Sequence, residues 1–267
     1  MRTYGIQWEW IFFCGGIVLG EFFLPQTDER FRLLGEKMAR HRALLGERCV
    51  FVFPFNAVAE KMKSDLQKAR AGDVCALGNC PPPLRPFLTE KGIVLVEFLQ
   101  NEAYRRRNAL ATAQGALAEV IRREKGLLQE KTVLVCGYGA CGAPLAKLFY
   151  LLGCEVFVYS HPASAARAEK DGFSFFPLAS PRLAMFDFVL NTVPAPVFPK
   201  EVLCALRPGT AFYQIATGTS GVDVALLAAR GVAFYPLWGL PGAYCPESEA
   251  ETMEKILLET LGKVRNS

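Results

Sequence analysis

The run TVLVC (132–136), followed at once by GYGACG (137–142) and then APLAKLFYLLG, constrains this chain more than any other feature. An uninterrupted apolar run reads as a parallel strand covered on both faces. A helix that opens directly after the glycines, and a second strand EVFVY (155–159), complete a β-α-β unit. The runs DFVLNTV (187–193), AFYQI (211–215) and VAFYP (232–236), each set off by a helical segment, extend it. These five runs, with a sixth strand position left unnamed between the second and third, predict a doubly wound parallel Rossmann sheet in the C-terminal half of an α/β protein.

The glycines of the turn have separate tasks. Gly137 permits the tight turn, Gly139 lets a pyrophosphate approach the backbone with no Cβ in the way, and Gly142 lets the helix pack closely on the strand. The helix N-terminus then offers unpaired N–H groups and a partial positive charge to phosphate. Dinucleotide binding is therefore expected at Gly137, Tyr138, Gly139, Ala140, Cys141 and Gly142. A glycine-rich turn that binds nothing is the plainer alternative. An acidic residue at the end of the second strand would bond the ribose 2′-hydroxyl of NAD, but here the strand ends Tyr159, Ser160, His161, with Arg167 near enough to reach an anion. NADP is thus expected over NAD, with Ser160, His161 and Arg167 at its adenosine end; an exposed helix position is the plainer reading of Arg167. Asn191, Thr192 and Val193 close the fourth strand and are expected beside the nicotinamide ribose, with Ala216 at the end of the next. The turn from Ala216 to Gly221 either contacts ligand or caps the following helix.

The first half alternates more weakly. A helix from about Asp28 to Leu45, a strand CVFVFPF, a polar helix from Ala57 to Ala71, a strand in DVCALGNC and the strand GIVLVEF (92–98) predict a smaller α/β domain. A long helix follows, with Ala109, Ala113, Ala116, Leu117, Val120 and Ile121 as its buried stripe. The expected layout is a substrate domain over 1–107, a connector helix over 108–126, the dinucleotide domain over 127–248, and a C-terminal helix over 249–267. That last helix carries Met253, Ile256, Leu257 and Leu261 on one face and is expected to return to the first domain.

Composition excludes several classes. With 267 residues, 51% hydrophobic and 21% charged, the chain is expected to be globular, as one large or two compact domains. A formal net charge of +4 provides no basic field to recommend nucleic acid. Nine cysteines without CxxC pairing suggest reduced thiols in a cytoplasm, and with only His41 and His161 no metal site is expected. The apolar stretch from Trp8 to Phe23 contains Glu9, Glu21, Gly15 and Gly16 and is followed by Pro25, so buried strands are expected there rather than a membrane span.

Four stretches in order, NALATAQGA (108–116), VLVCGYGACGAPLAKLF (133–149), NTVPAPVFPKEVL (191–203), and IATGTSGVD (215–223) with GLPGAYCPESE (239–249), together resemble the family of dipicolinate synthase A subunits. The resemblance covers roughly residues 75 to 263; residues 1 to about 74 depart from it, and Gln114 stands where that family carries a glutamate. It implies oxidation of a dihydrodipicolinate-type dicarboxylate to aromatic dipicolinate with a nicotinamide cofactor, the flavoprotein-like B subunit of dipicolinate synthase as partner, and the cytoplasm of a spore-forming mother cell. A homo-oligomer is expected.

A dicarboxylate needs donors. Asn79, Asn108, Thr112 and Ser220 are the candidate substrate contacts, with Arg105, Arg106 and Arg107 as either anion ligands or a solvated charge run. For Asn108 and Thr112, structural hydrogen bonds are an equal alternative. Neither histidine is suitably placed to act as a general base, and no catalytic residue is assigned. Two other functions compete: a shikimate dehydrogenase-like NADP reductase, which shares the NTxP turn, and a nucleotide-sensing Rossmann protein without chemistry.

Overall fold

Every described strand runs parallel to its neighbours, as expected of a chain in which strands and helices alternate and each return crosses a face of the sheet. The structure, a computed structural model, describes residues 22–23, 28–218 and 221–265. In chain order the elements are β1 (Phe22–Phe23), α1 (Glu29–Ala39), β2 (Val50–Val52), α2 (Ala59–Asp65), β3 (Val74–Leu77), α3 (Arg85–Glu90), β4 (Val94–Glu97) and α4 (Glu102–Arg123). They continue with β5 (Thr132–Cys136), α5 (Gly142–Leu151), β6 (Glu155–Tyr159), α6 (Pro162–Lys170), β7 (Ser174–Phe175), β8 (Phe188–Asn191) and α7 (Lys200–Cys204). The last are β9 (Ala211–Gln214), α8 (Val224–Ala229), β10 (Ala233–Pro236), α9 (Leu240–Tyr244) and α10 (Pro246–Arg265). Of the stretch expected to form buried strands between Trp8 and Phe23, only β1 lies within the described residues.

The chain divides into two units, one made of residues 1–108 and 245–267 and the other of 109–244. The second holds the six-stranded sheet, ordered β10-β9-β8-β5-β6-β7. Its centre shows how two-residue periodicity builds two cores at once. Val133 and Val135 of β5 face one core, with Leu145, Ala146 and Phe149 of α5 and Ala113, Ala116 and Val120 of α4. Leu134 and Cys136 face the other, with Val202 and Leu203 of α7 and Leu227 of α8. Each fully buried aliphatic side chain contributes about 1.5–3 kcal/mol. The strand that the sequence left unnamed is β7, only two residues long.

The first unit repeats the device on a four-stranded sheet, β1-β2-β3-β4. Val50 and Val52 pack with Phe31, Leu34 and Met38 of α1 and with Met253, Leu257 and Leu261 of α10. Phe51 and Cys75 face Met62, Leu66, Leu84 and Leu88 on the other side. Helix α4 starts at Glu102, not at 108, because the Asn101 side chain accepts the Tyr104 N–H at 3.1 Å and caps it there. Ile121, expected in the buried stripe, is 51% exposed.

A buried polar cluster ties α10 to this unit. The Tyr104 hydroxyl donates to Glu249 Oε2, while Arg30, paired with Asp28 at 2.8 Å, lies 3.8 Å from the same oxygen and 4.7 Å from the Phe55 ring centre. Glu249 is wholly buried, and among the described residues its Oε1 has no hydrogen-bond partner. Burial raises its pKa above the ordinary 4.5, against the Tyr104 hydrogen bond and the Arg30 charge. A carboxyl with a raised native pKa binds its proton more tightly when folded. Its contribution to stability is therefore present below about pH 4.5 and is lost as pH rises through the native value. Replacing it by Glu249→Gln is expected to protect α10 increasingly, relative to the unsubstituted protein, as pH rises above about 4.5. Amide hydrogen exchange in α10 checks this, and parallel pH profiles would refute it.

Candidate functional site

The order of the larger sheet reverses direction between β5 and β8, and in open parallel sheets the ligand crevice lies outside the strand carboxyl ends at that point. Two turns flank it, 137–142 after β5 and 192–196 after β8.

Steric limits shape the first turn. Gly137 has φ +95°, its N–H donates to Tyr159 O at 2.7 Å, and a Cβ there would overlap Thr192 Oγ1 and stand 3.2 Å from Val193 Cγ2. A Cβ on Gly142 would lie 2.8 Å from the carbonyl carbon of Gly137 and closer still to its oxygen, so α5 can start here only from a glycine. Gly139 differs. It is exposed, its φ is not positive, and a Cβ would meet no heavy atom within 4 Å. Two glycines are thus required by the fold, and the third is not. The first backbone bonds of α5 run from Ala143 to Gly139 O and from Leu145 to Cys141 O. The amides of Ala140, Cys141 and Gly142 precede those bonds and point out of the helix start with its positive partial charge.

Several residues expected to touch a ligand also hold the turn. The Tyr138 ring is 1% exposed, packs 5.7 Å from Phe173 and donates its hydroxyl to Asp171 Oδ2 at 2.6 Å, so only its backbone belongs to the loop surface. Lys147, 2.8 Å from the same oxygen, and Tyr138 together hold the Asp171 carboxyl below its ordinary pKa. The exposed Arg167 donates to the Tyr138 carbonyl and stands 5.4 Å above its ring. Ser160 Oγ accepts the Tyr138 N–H at 3.2 Å, and His161 lies exposed at the start of α6. Thr192 Oγ1 donates to Cys136 O at 2.8 Å.

Asn191, expected to line the ligand, is wholly buried and works from behind the turn. Its Nδ2 donates to Gln214 Oε1 at 2.9 Å and to Val193 O at 3.4 Å, while its Oδ1 accepts the Val193 N–H at 3.0 Å. Gln214, also wholly buried, donates to Ala216 O at 3.0 Å. The half-buried Ala216 donates its N–H to Asn191 O at 3.1 Å. Sequence reasoning passed over Gln214 and Asp171. The signal for Gln214 was a polar residue ending an apolar strand in the same register position as Asn191 on its neighbour.

Of the proposed substrate contacts, Thr112 hydrogen-bonds Cys141 at the base of the turn. Burial raises the Cys141 thiol above its ordinary pKa despite that bond, which keeps it a protonated thiol rather than a nucleophile. Asn108 is half-buried in the first unit, and Asn79, also there, accepts from Gln100 Nε2 at 2.9 Å. Ser220 lies outside the described residues. Arg106 pairs with Glu102 one helical turn away and Arg107 lies 3.7 Å from Glu251, both on the surface, which is the solvated reading of that run. Helix α8 takes its cap from Asp223, so the turn before it is not spent on capping. Among the described residues there is no group of three or more His, Cys, Asp or Glu that could hold a metal ion, and no helix long and apolar enough to cross a membrane.

Known proteins are similar to this chain in sequence or in fold. The A subunit of dipicolinate synthase from Bacillus subtilis is 23% identical over 175 residues, 64% of this chain and 59% of that protein, so the match spans under two thirds of the relative. S-inosyl-L-homocysteine hydrolase of Methanocaldococcus jannaschii is 34% identical over 113 residues, 41% of this chain and 27% of that protein. A crystal structure of the dipicolinate synthase A chain from Bacillus subtilis superposes with a TM-score of 0.76 at 18% identity, covering 92% of this chain and 96% of that one. No family model matches. The chain is related to the A subunit of dipicolinate synthase and has its fold. Because Gly142 has no room for a methyl group, Gly142→Ala is expected to destabilise the second unit by about 1–3 kcal/mol. Urea unfolding measures this, and an unchanged midpoint would contradict the packing described.

Proposed function

We propose that this chain is a nicotinamide-dependent oxidoreductase of the same kind as the A subunit of dipicolinate synthase. The observation that carries the reading is the contrast among the three glycines. Gly137 and Gly142 are forced by packing, whereas Gly139 has open space where a side chain would fit without penalty. A phosphate group seated on the turn supplies the missing reason for glycine there.

In this reading the turn Gly137 to Gly142 holds the pyrophosphate. Ser160, His161 and Arg167 stand at the adenosine end, and Thr192, Val193 and Ala216 frame the nicotinamide ribose, with the buried Asn191 holding Val193 from behind. NADP is preferred to NAD because β6 ends without a carboxylate and Arg167 adds positive charge beside the loop. A nicotinamide held on the turn would supply the two-electron acceptor for a dihydrodipicolinate-type ring, whose oxidation would release one proton and gain aromaticity. The chain's own task is then to orient two carboxylate arms and the ring carbon. Asn79, Asn108, Thr112 and Ser220 are the proposed substrate contacts, a flavoprotein resembling the B subunit of dipicolinate synthase the proposed partner, and the cytoplasm of a spore former the proposed setting. The relationship to the A subunit of that synthase supports the substrate class.

Titration of the protein with NADPH and NADH, followed by coenzyme fluorescence, tests the reading, and no change with either at millimolar levels would defeat it. Gly139→Ala is expected to melt at the same temperature as the unsubstituted protein yet bind NADPH at least about tenfold more weakly. Formation of ultraviolet-absorbing aromatic product with the flavoprotein partner present tests the substrate.

A further inference from the structure

We infer that Gln214, acting through Asn191, is a positioning residue for the nicotinamide-ribose half of the dinucleotide. This rests on the proposed function and deepens it by assigning half of the ligand to a pair of buried amides.

The two residues occupy matching register positions at the carboxyl ends of adjacent strands, and both are 0% exposed. A buried amide is costly unless its donors and acceptors are met, and two apolar side chains would fill the same space at lower cost. The amides are used here to hold backbone. Gln214 accepts from Asn191 and donates to the carbonyl of Ala216, while Asn191 holds both the N–H and the carbonyl of Val193. Two turns that hang from different strands are thereby fixed to one another. Val193 in turn packs against the position where Gly137 would carry a Cβ, which carries the same arrangement to the edge of the phosphate turn. A dinucleotide lying across the point of reversal puts its adenosine half over the β5, β6 and β7 side and its nicotinamide half over the β8, β9 and β10 side. The amide pair lies beneath the second half and meets the phosphate turn only at its edge, through Val193. Its loss should therefore weaken the nicotinamide half and spare the other.

Calorimetric titration with NADPH and with 2′-phosphoadenosine 5′-diphosphate, which lacks both the nicotinamide and its ribose, compares the unsubstituted protein with Gln214→Met and with Gln214→Met combined with Asn191→Leu. The double variant leaves neither amide buried without its partner and so guards against a single variant that fails to fold. Expected is a loss of about tenfold in NADPH affinity with a change under about twofold for the fragment. Equal losses for both ligands, as from general loosening of the sheet, or no change in either, would overturn the inference while leaving the dinucleotide reading intact. If the unsubstituted protein binds neither ligand, the dinucleotide reading fails and takes this one with it. A second measurement needs no variant: hydrogen exchange over residues 188–197 and 211–218 should slow with NADPH and not with the fragment. Equal slowing by both would count against the assignment.

Discussion

The tightest constraint in the molecule is the approach of the first turn of α5 to the carbonyl of Gly137. No side chain fits on either side of it, since a Cβ on Gly142 would strike that carbonyl and one on Gly137 would strike Thr192. Because α5 is drawn this close, its Leu145, Ala146 and Phe149 reach the core face of β5, and its unpaired amides come to the carboxyl edge of the sheet. The covering of the central strand and the anion-attracting character of the turn are therefore consequences of one contact. Tyr138 secures the outer side of it, anchored by Asp171 and Lys147 and overlaid by Arg167.

Much of this was legible in the residues. The apolar run 132–136, the glycine spacing and the helix behind it specify a β-α-β unit whatever lies around them, and the larger sheet follows from repeating it. The roles of individual side chains were less legible, for a physical reason. Tyr138 is placed by its seat in the turn, Ser160 and Arg167 by following the second strand, and Asn191 by closing the fourth, but a place in the chain does not give a side chain its direction. Ser160 and Arg167 spend hydrogen bonds on the backbone of the first turn and Asn191 on that of the second, because sharp turns expose peptide groups that need partners, while Tyr138 turns its hydroxyl to Asp171. Gln214 escaped notice because its meaning depends on Asn191, 23 residues away, and that pairing exists only once β8 lies beside β9.

The first unit is a different case. Its strands are short and its helices break into tight turns after Ala39 and Asp65, so periodicity is weak even though the alternation of Val50, Phe51 and Val52 between two cores is regular. The polar cluster of Arg30, Asp28, Tyr104 and Glu249 could not be found by scanning local spacing. Its members come from α1, α4 and α10, which are far apart in the chain.

That distance has a consequence for how the protein is made. Helix α10 contributes Met253, Leu257 and Leu261 to a core whose other members were synthesised some two hundred residues earlier, whereas the second unit is drawn from one unbroken stretch. On the ribosome, the middle of the chain can close before the beginning does. Until α10 emerges, the apolar faces of α1 and β2 stand without part of their cover.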